Sequence, residues 1–217
     1  MVITDVQQQK RNSSRFNLYI DNKFCAGISA NTLAKFNLYK DKEIVEEDLQ
    51  KVLYEDLKQR FTDRAINNIA RSPKTEFQIR RYLNELSYKK KGDWFDKEID
   101  FDFEEMFKNI ISNLKELELL DDRNYAQLFV ESRIKNKPRG KYILVSELIR
   151  KGVDKNIAKE VCDELIEDEY DLLKRTYYKK YKTYNLDISD TKKIQYLQRK
   201  GFSYDLIKEF SKNESTE

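Results

Sequence analysis

The chain has 217 residues, enough for one large domain or several small modules, and 39% hydrophobic content supplies a core. Five glycines and two prolines against 37% charged residues favour long solvated helices and exclude a chain disordered throughout. Basic residues number 42 and acidic ones 39, so the net charge of +3 excludes binding nucleic acid through overall charge, and any basic surface must be local.

The sequence lacks histidine, the commonest general base and metal ligand, and carries no Walker-type glycine loop or nucleophile elbow. No catalytic residue, cofactor or metal is therefore assigned, and the chain is read as a non-enzyme. Cys25 and Cys162 belong to no Cys-x-x-Cys pair and read as two buried thiols. Residues 1–15 carry Asp5 and Arg11 with no apolar signal stretch, and no segment has the apolar length of a membrane span, so a cytoplasmic protein is expected.

In chain order, residues 16–20 and 24–28 are aromatic or β-branched runs separated by Asp21-Asn22-Lys23, which predicts a β-hairpin. Residues 2–6 can add a third strand, and the sheet should pack on the helix that follows, because a lone hairpin is marginal in water. From Glu46 the apolar spacing becomes three and four, through Leu49, Val52, Leu53, Leu57, Phe61, Ala65, Ile66 and Ile69. A helix is predicted over 56–72, stopped by Pro73. Thr75 and Gln78 form a capping box opening the next helix, along Ile79, Tyr82, Leu83 and Leu86.

Residues 89–102 read as an insertion. Asp93, Asp96, Glu98, Asp100, Asp102, Glu104 and Glu105 could hold a hard cation, but the stretch lacks the central glycine of an EF-hand loop. Asp102, Glu104 and Glu105 also sit where a helix start favours negative charge, so a solvated loop is expected.

The most informative feature is an internal repeat. LIRKGVDKNIAKEV (148–161) and LQRKGFSYDLIKEF (197–210) share six of fourteen positions at an offset of 49 residues, Arg150/Arg199, Lys151/Lys200 and Gly152/Gly201 among them. The block predicts a helix, a left-handed glycine stop and a second helix, with Val153 or Phe202 folding back in a Schellman contact and Asp154 or Ser203 capping the next helix. A weaker third copy is read at 83–88, with Ser87 in place of glycine.

Each copy follows another helix, 122–135 or 170–184, giving three-helix units. The chain is therefore divided into a β-rich region 1–45 and modules 46–120, 121–169 and 170–217. The predicted fold is mainly α: tandem three-helix repeat modules stacked into an elongated, curved body behind a small N-terminal sheet. Such bodies bind extended partners.

Two basic segments are candidate contact surfaces. Arg133, Lys135, Lys137, Arg139 and Lys141 run with few intervening acids and could reach phosphates or an acidic protein face; Arg150, Lys151, Arg199 and Lys200 at the repeated turns are added to them. In 174–184 lysines alternate with tyrosines, as on single-strand binding surfaces, although Leu173, Tyr177 and Tyr181 also fit a buried stripe. Leu120, Tyr125, Phe129 and Val130 read as core, with Asp121 or Asp122 capping the helix they begin.

The stretch Leu120-Asp121-Asp122-Arg123-Asn124-Tyr125-Ala126, with Phe129, Val130, Ser132 and Arg133, resembles the RecX family of recombinase regulators. The Lys151-Gly152-Val153 and Arg199-Lys200-Gly201-Phe202-Ser203 turns are similar to those of that family's middle and last modules. Leu120, Asp121, Asp122, Tyr125, Ala126, Gly152, Gly201 and Phe202 form the structural signature. The sequence departs from the family pattern in its 89–102 insertion and at Lys137-Pro138-Arg139-Gly140-Lys141. The resemblance implies a monomeric regulator that binds the RecA recombinase filament on single-stranded DNA and suppresses its ATPase, strand exchange and co-protease action. Single-stranded DNA is a second candidate partner, and no membrane is expected. The competing reading is an autonomous DNA-binding protein with a helix-turn-helix-like surface.

Overall fold

The first thirty residues fold as an antiparallel sheet in the order β1 (Ile3–Gln9), β2 (Asn12–Ile20), β3 (Lys23–Ser29). The computed structural model describes residues 1–94 and 101–213. Asp21 and Asn22 both take positive φ, 48° and 64°, so the β2–β3 connection is a two-residue turn whose twist matches the strands it joins. The third strand is present and longer than its apolar pattern suggested, since it continues through Gln7, Gln8 and Gln9 opposite Asn17, Phe16 and Asn12.

Ten helices follow among the described residues: α1 (Ala30–Lys35), α2 (Glu46–Arg71), α3 (Glu76–Lys90), α4 (Phe103–Glu116), α5 (Asp122–Asn136), α6 (Lys141–Arg150), α7 (Lys155–Leu165), α8 (Glu169–Tyr181), α9 (Thr191–Arg199) and α10 (Tyr204–Asn213). The chain separates into two compact units, Met1–Ala70 with Tyr82–Leu114, and Arg71–Arg81 with Lys115–Glu217.

In the first unit, Ile3, Leu18, Ile20 and Ile28 of the sheet pack with Leu49 and Val52 of α2, the docking expected of a small sheet. α2 begins ten residues before the predicted start at 56, because Glu46, Glu47 and Asp48 suit its positive end and Leu49 and Val52 bury on the sheet. α1 was not expected; Ser29 caps it by accepting the Thr32 N–H at 3.0 Å. Farther along, Phe61 lies edge-on to Phe107, Phe103 and Trp94 at 5.1–6.0 Å.

The weak third copy is corrected by the structure. α3 runs unbroken through Ser87 to Lys90, and the left-handed residue is Gly92, φ 88°. Gly92 thus follows α3 as Gly152 follows α6 and Gly201 follows α9, but with other bonds, since the Asp93 and Trp94 N–H groups both return to the Lys90 carbonyl; α3 has 15 residues against 10 in α6. Of the insertion, Asp93 pairs with Lys90 at 3.1 Å and Asp102 caps α4 through the Glu105 N–H at 2.9 Å, whereas Asp96, Glu98 and Asp100 lie outside the described residues.

In the second unit the two strong copies form as read. Gly152 and Gly201 take φ of 92° and 96°. Val153 N–H returns to the Leu148 carbonyl (3.1 Å) and Phe202 N–H to that of Leu197 (3.2 Å), while Gly152 and Gly201 bond Ile149 and Gln198, the paired bonds of a Schellman stop. Asp154 and Ser203 then cap α7 and α10. Ala126, Val130, Leu144, Leu148, Val161, Leu173, Tyr177, Leu197, Ile207 and Phe210 belong to one continuous core, so α5–α7 and α8–α10 share their apolar interior.

The turns also join each module to the helix of the module before it. Thr75 at the start of α3 donates to the Lys151 carbonyl (2.6 Å), and Gly140 at the start of α6 donates to the Lys200 carbonyl (2.8 Å). Asp122 accepts the Glu76 N–H (2.9 Å), and Glu169 accepts the Lys141 N–H (2.8 Å). Each is the first residue of its own helix, yet each serves the orphan amide of another. Thr75 and Gln78 complete their reciprocal capping box at 3.1 and 3.2 Å.

Candidate functional site

The basic stretch between α5 and α6 is sorted by a single buried carboxylate. Glu147 of α6, 8% exposed, accepts Arg133 of α5 at 3.0 Å and Arg139 of the loop at 2.9 Å, fixing both ends of the connection. The Arg133 guanidinium also lies 4.6 Å from the Phe129 ring centroid, with the Lys151 ammonium 5.5 Å from the same ring. Lys141 pairs with Asp163 at 2.9 Å. Arg133, Arg139 and Lys141 thus spend their charge within the chain. Lys135 and Lys137 are exposed and have no carboxylate partner among the described residues. Arg150 and Arg199, at the C-terminal ends of α6 and α9, are exposed too.

Lys137 and Lys200 come together with two residues outside the strongest sequence candidates. Lys137 and Pro138 of the loop, Lys179 and Lys180 of α8, and Tyr196 and Lys200 of α9 surround a recess of about 240 Å³, closed by Asn136 and Thr176. No carboxylate lines it. Lys179 donates to the Asn136 carbonyl at 3.0 Å, tying α8 to the loop. The Lys180 ammonium sits 3.6 Å from the Tyr196 ring centroid, with Lys200 5.5 Å from that ring. Burial holds the Lys200 ammonium below the usual lysine range, and Arg139, Lys180, Lys137 and Lys179 push it the same way.

The repeat explains how this recess arises. Tyr196 occupies in the third module the place of Glu147 in the second, at the same 49-residue offset. Arg133 and Lys180 each lie twelve positions past the aspartate, Asp121 or Asp168, that caps their helix. In the second module that pair is an ion pair; in the third it is a cation on an aromatic face, and the compensating carboxylate is gone. The signal was therefore in the sequence, at Tyr196, but it was legible only once the modules were superposed.

The remainder of α8 agrees with the buried-stripe reading. Leu173 and Tyr177 are fully buried and Tyr181 half-buried. Outside that stripe Tyr178 and Tyr184 are exposed and stack on each other at 4.7 Å. α8 ends at Tyr181, before the predicted 184, where Lys182 turns left-handed at φ 59°. In the signature segment Asp121, rather than Asp122, caps α5, accepting from Arg123 and Asn124 at 2.8 and 3.0 Å. Leu120 and Ala126 are buried, Tyr125 stacks on Phe129, and Phe202 is buried beneath its turn.

Of the two thiols, Cys162 is buried and pushed up to about 11 by burial, whereas Cys25 is only half-buried. Among the described residues no group of His, Cys, Asp and Glu could hold a metal ion, and no helix is long and apolar enough to cross a membrane.

A small sheet followed by tandem three-helix modules, with a lysine recess that no carboxylate lines, defines a helical-repeat protein. Residues 1–45 match the regulatory protein RecX N-terminal domain, and residues 121–161 match the second three-helix domain of RecX. The regulatory protein RecX of Clostridioides difficile is 30% identical over 212 residues, covering 95% of this chain and 92% of that one. That of Clostridium perfringens strain SM101 is 28% identical over 231 residues, covering 99% of each. A crystal structure of regulatory protein RecX superposes with a TM-score of 0.70 at 24% identity, covering 98% of this chain and 99% of the other. RecX from Lactobacillus salivarius gives 0.58 at 23% identity over 74% of this chain and 97% of that one. The chain belongs to the RecX family of regulatory proteins.

Proposed function

We propose that this protein binds the RecA recombinase filament on single-stranded DNA and inhibits its ATPase, strand-exchange and co-protease activities, acting in the cytoplasm as a monomer and as a regulator rather than an enzyme. Family membership supports the regulatory role, and the lysine recess carries the argument for where the partner is met. Four ammonium groups around about 240 Å³ with no lining carboxylate repel one another, and an anionic partner relieves that repulsion. Acidic side chains of a filament protomer and phosphates of the strand it coats both have the required charge.

The direct test is ATP hydrolysis by RecA on single-stranded DNA with this protein added. The expected result is inhibition near stoichiometric amounts; an unchanged rate at excess protein defeats the proposal. The second reading, autonomous DNA binding, draws on the same recess. It predicts binding to DNA without recombinase, weakening steeply with salt as counterions are released. Binding that needs RecA and tolerates salt favours the filament.

A further inference from the structure

A second cationic site lies in the first unit, where Arg15 of β2 and Arg60 and Arg64 of α2 line a cavity of about 380 Å³ together with Ser14, Asp63 and Trp94. Beneath it Asp56, 4% exposed, accepts Arg15 at 2.8 Å and Arg60 at 3.0 Å through one oxygen. Its other oxygen accepts the Ser29 N–H at 2.6 Å and the Thr32 hydroxyl at 3.2 Å. The carboxylate is thereby saturated, and it neutralises one of two guanidiniums. Arg15 and Arg60 also donate to the Gly27 carbonyl, which leaves Nε and Nη1 of Arg15 and Nη1 of Arg60 without acceptors among the described residues.

Arg64, one turn beyond Arg60, is exposed and forms no ion pair among the described residues. The guanidinium carbons of Arg60 and Arg64 each lie 5.7 Å from the Trp94 ring centroid. Both guanidiniums are thus within cation–π range of the indole, which draws the two cations to the same side of the cavity. The acidic lining residue, Asp63, is engaged by Gln59 at 2.8 Å. Three forks approaching from two elements exceed what a carboxylate, with two coplanar oxygens, can accept; a tetrahedral group with three or four oxygens matches them.

We propose that this arginine cluster is a phosphate-binding site, filled by a small phosphoryl compound or by a phosphate of a nucleic-acid backbone. It stands apart from the partner reading above, and loss of phosphate binding with recombinase inhibition intact separates the two.

Trp94 is the chain's one tryptophan, so its fluorescence reports this cavity without labelling. The intact chain is titrated with inorganic pyrophosphate and with oligothymidylate at constant ionic strength. A saturable change is expected. Saturation by pyrophosphate identifies a small phosphoryl ligand, and saturation by the oligonucleotide alone identifies a backbone phosphate. Arg64→Ala, at an exposed position, should weaken binding at least about tenfold, the loss of one charge-assisted hydrogen bond, and Ser14→Glu should weaken it as well. Absence of a saturable change with both probes overturns the proposal. So does an Arg64→Ala titration equal to wild type, or one equally weakened by Lys137→Glu in the lysine recess of the second unit.

Discussion

Gly152 and Gly201 show how one residue carries both a turn and a joint. A Cβ on Gly152 would lie 2.1 Å from the Phe77 Cβ, and one on Gly201 2.4 Å from Ile143 Cγ1, at φ values that L side chains seldom adopt. Alanine at either position should cost about 1–3 kcal/mol in urea unfolding. Adding Phe77→Ala to Gly152→Ala should restore little of that loss, since alanine keeps the Phe77 Cβ that the new methyl meets and the backbone strain is not relieved; full restoration would show that neither contributes. Glu147→Gln should lower stability by about 1–3 kcal/mol, because two half-buried guanidiniums lose their shared counter-charge. Cys162, held near 11, should resist alkylation at pH 8 until the protein is unfolded, while Cys25 reacts first in the native state. Equal native rates for the two thiols would contradict their burial.

At the scale of elements, α5, the following loop and α8 divide structural cations from available ones. Arg133→Glu with Arg139→Glu would set three carboxylates against one another around Glu147 and should destabilise the second unit. Lys137→Glu alone should leave the urea midpoint nearly unchanged and weaken binding of the anionic partner. The reverse pattern would relocate the site. Lys200 sharpens this further: its ammonium is disfavoured where it sits, so Lys200→Met should raise stability while weakening partner binding. The sign follows from titration. A base whose folded pKa is lowered binds fewer protons when folded, so its charge opposes folding, and that opposition fades as pH rises through the unfolded lysine range.

At the scale of the molecule, the modules of the second unit depend on their successors. Removing residues 168–213 would take away Glu169 and the Lys200 carbonyl, leaving the Lys141 and Gly140 amides at the start of α6 without acceptors, and would halve a core that α5–α10 share. Amide hydrogen exchange should then lose its protection through α5–α7 while the first unit keeps its own; native protection of α5–α7 would show that the second module is self-sufficient.

The sequence by itself determined the sheet, most helices, the two glycine stops and the family, because these rest on period, capping chemistry and left-handed backbone, all local to a few residues. Local signals also mislead where length varies: the repeat places the stop after α3 at Ser87, whereas the helix runs to Lys90 and the left-handed residue is Gly92, since five extra helical residues break the alignment of copies. Only the tertiary structure decided which cations are spent and which are available. Arg133 and Lys137 look alike in a basic run, and what separates them is a carboxylate fourteen residues from Arg133 that folding buries beside it. Asp122 likewise reads as a cap of its own helix, yet it caps another, as Glu169 does, because an orphan amide takes the nearest acceptor in space rather than in sequence.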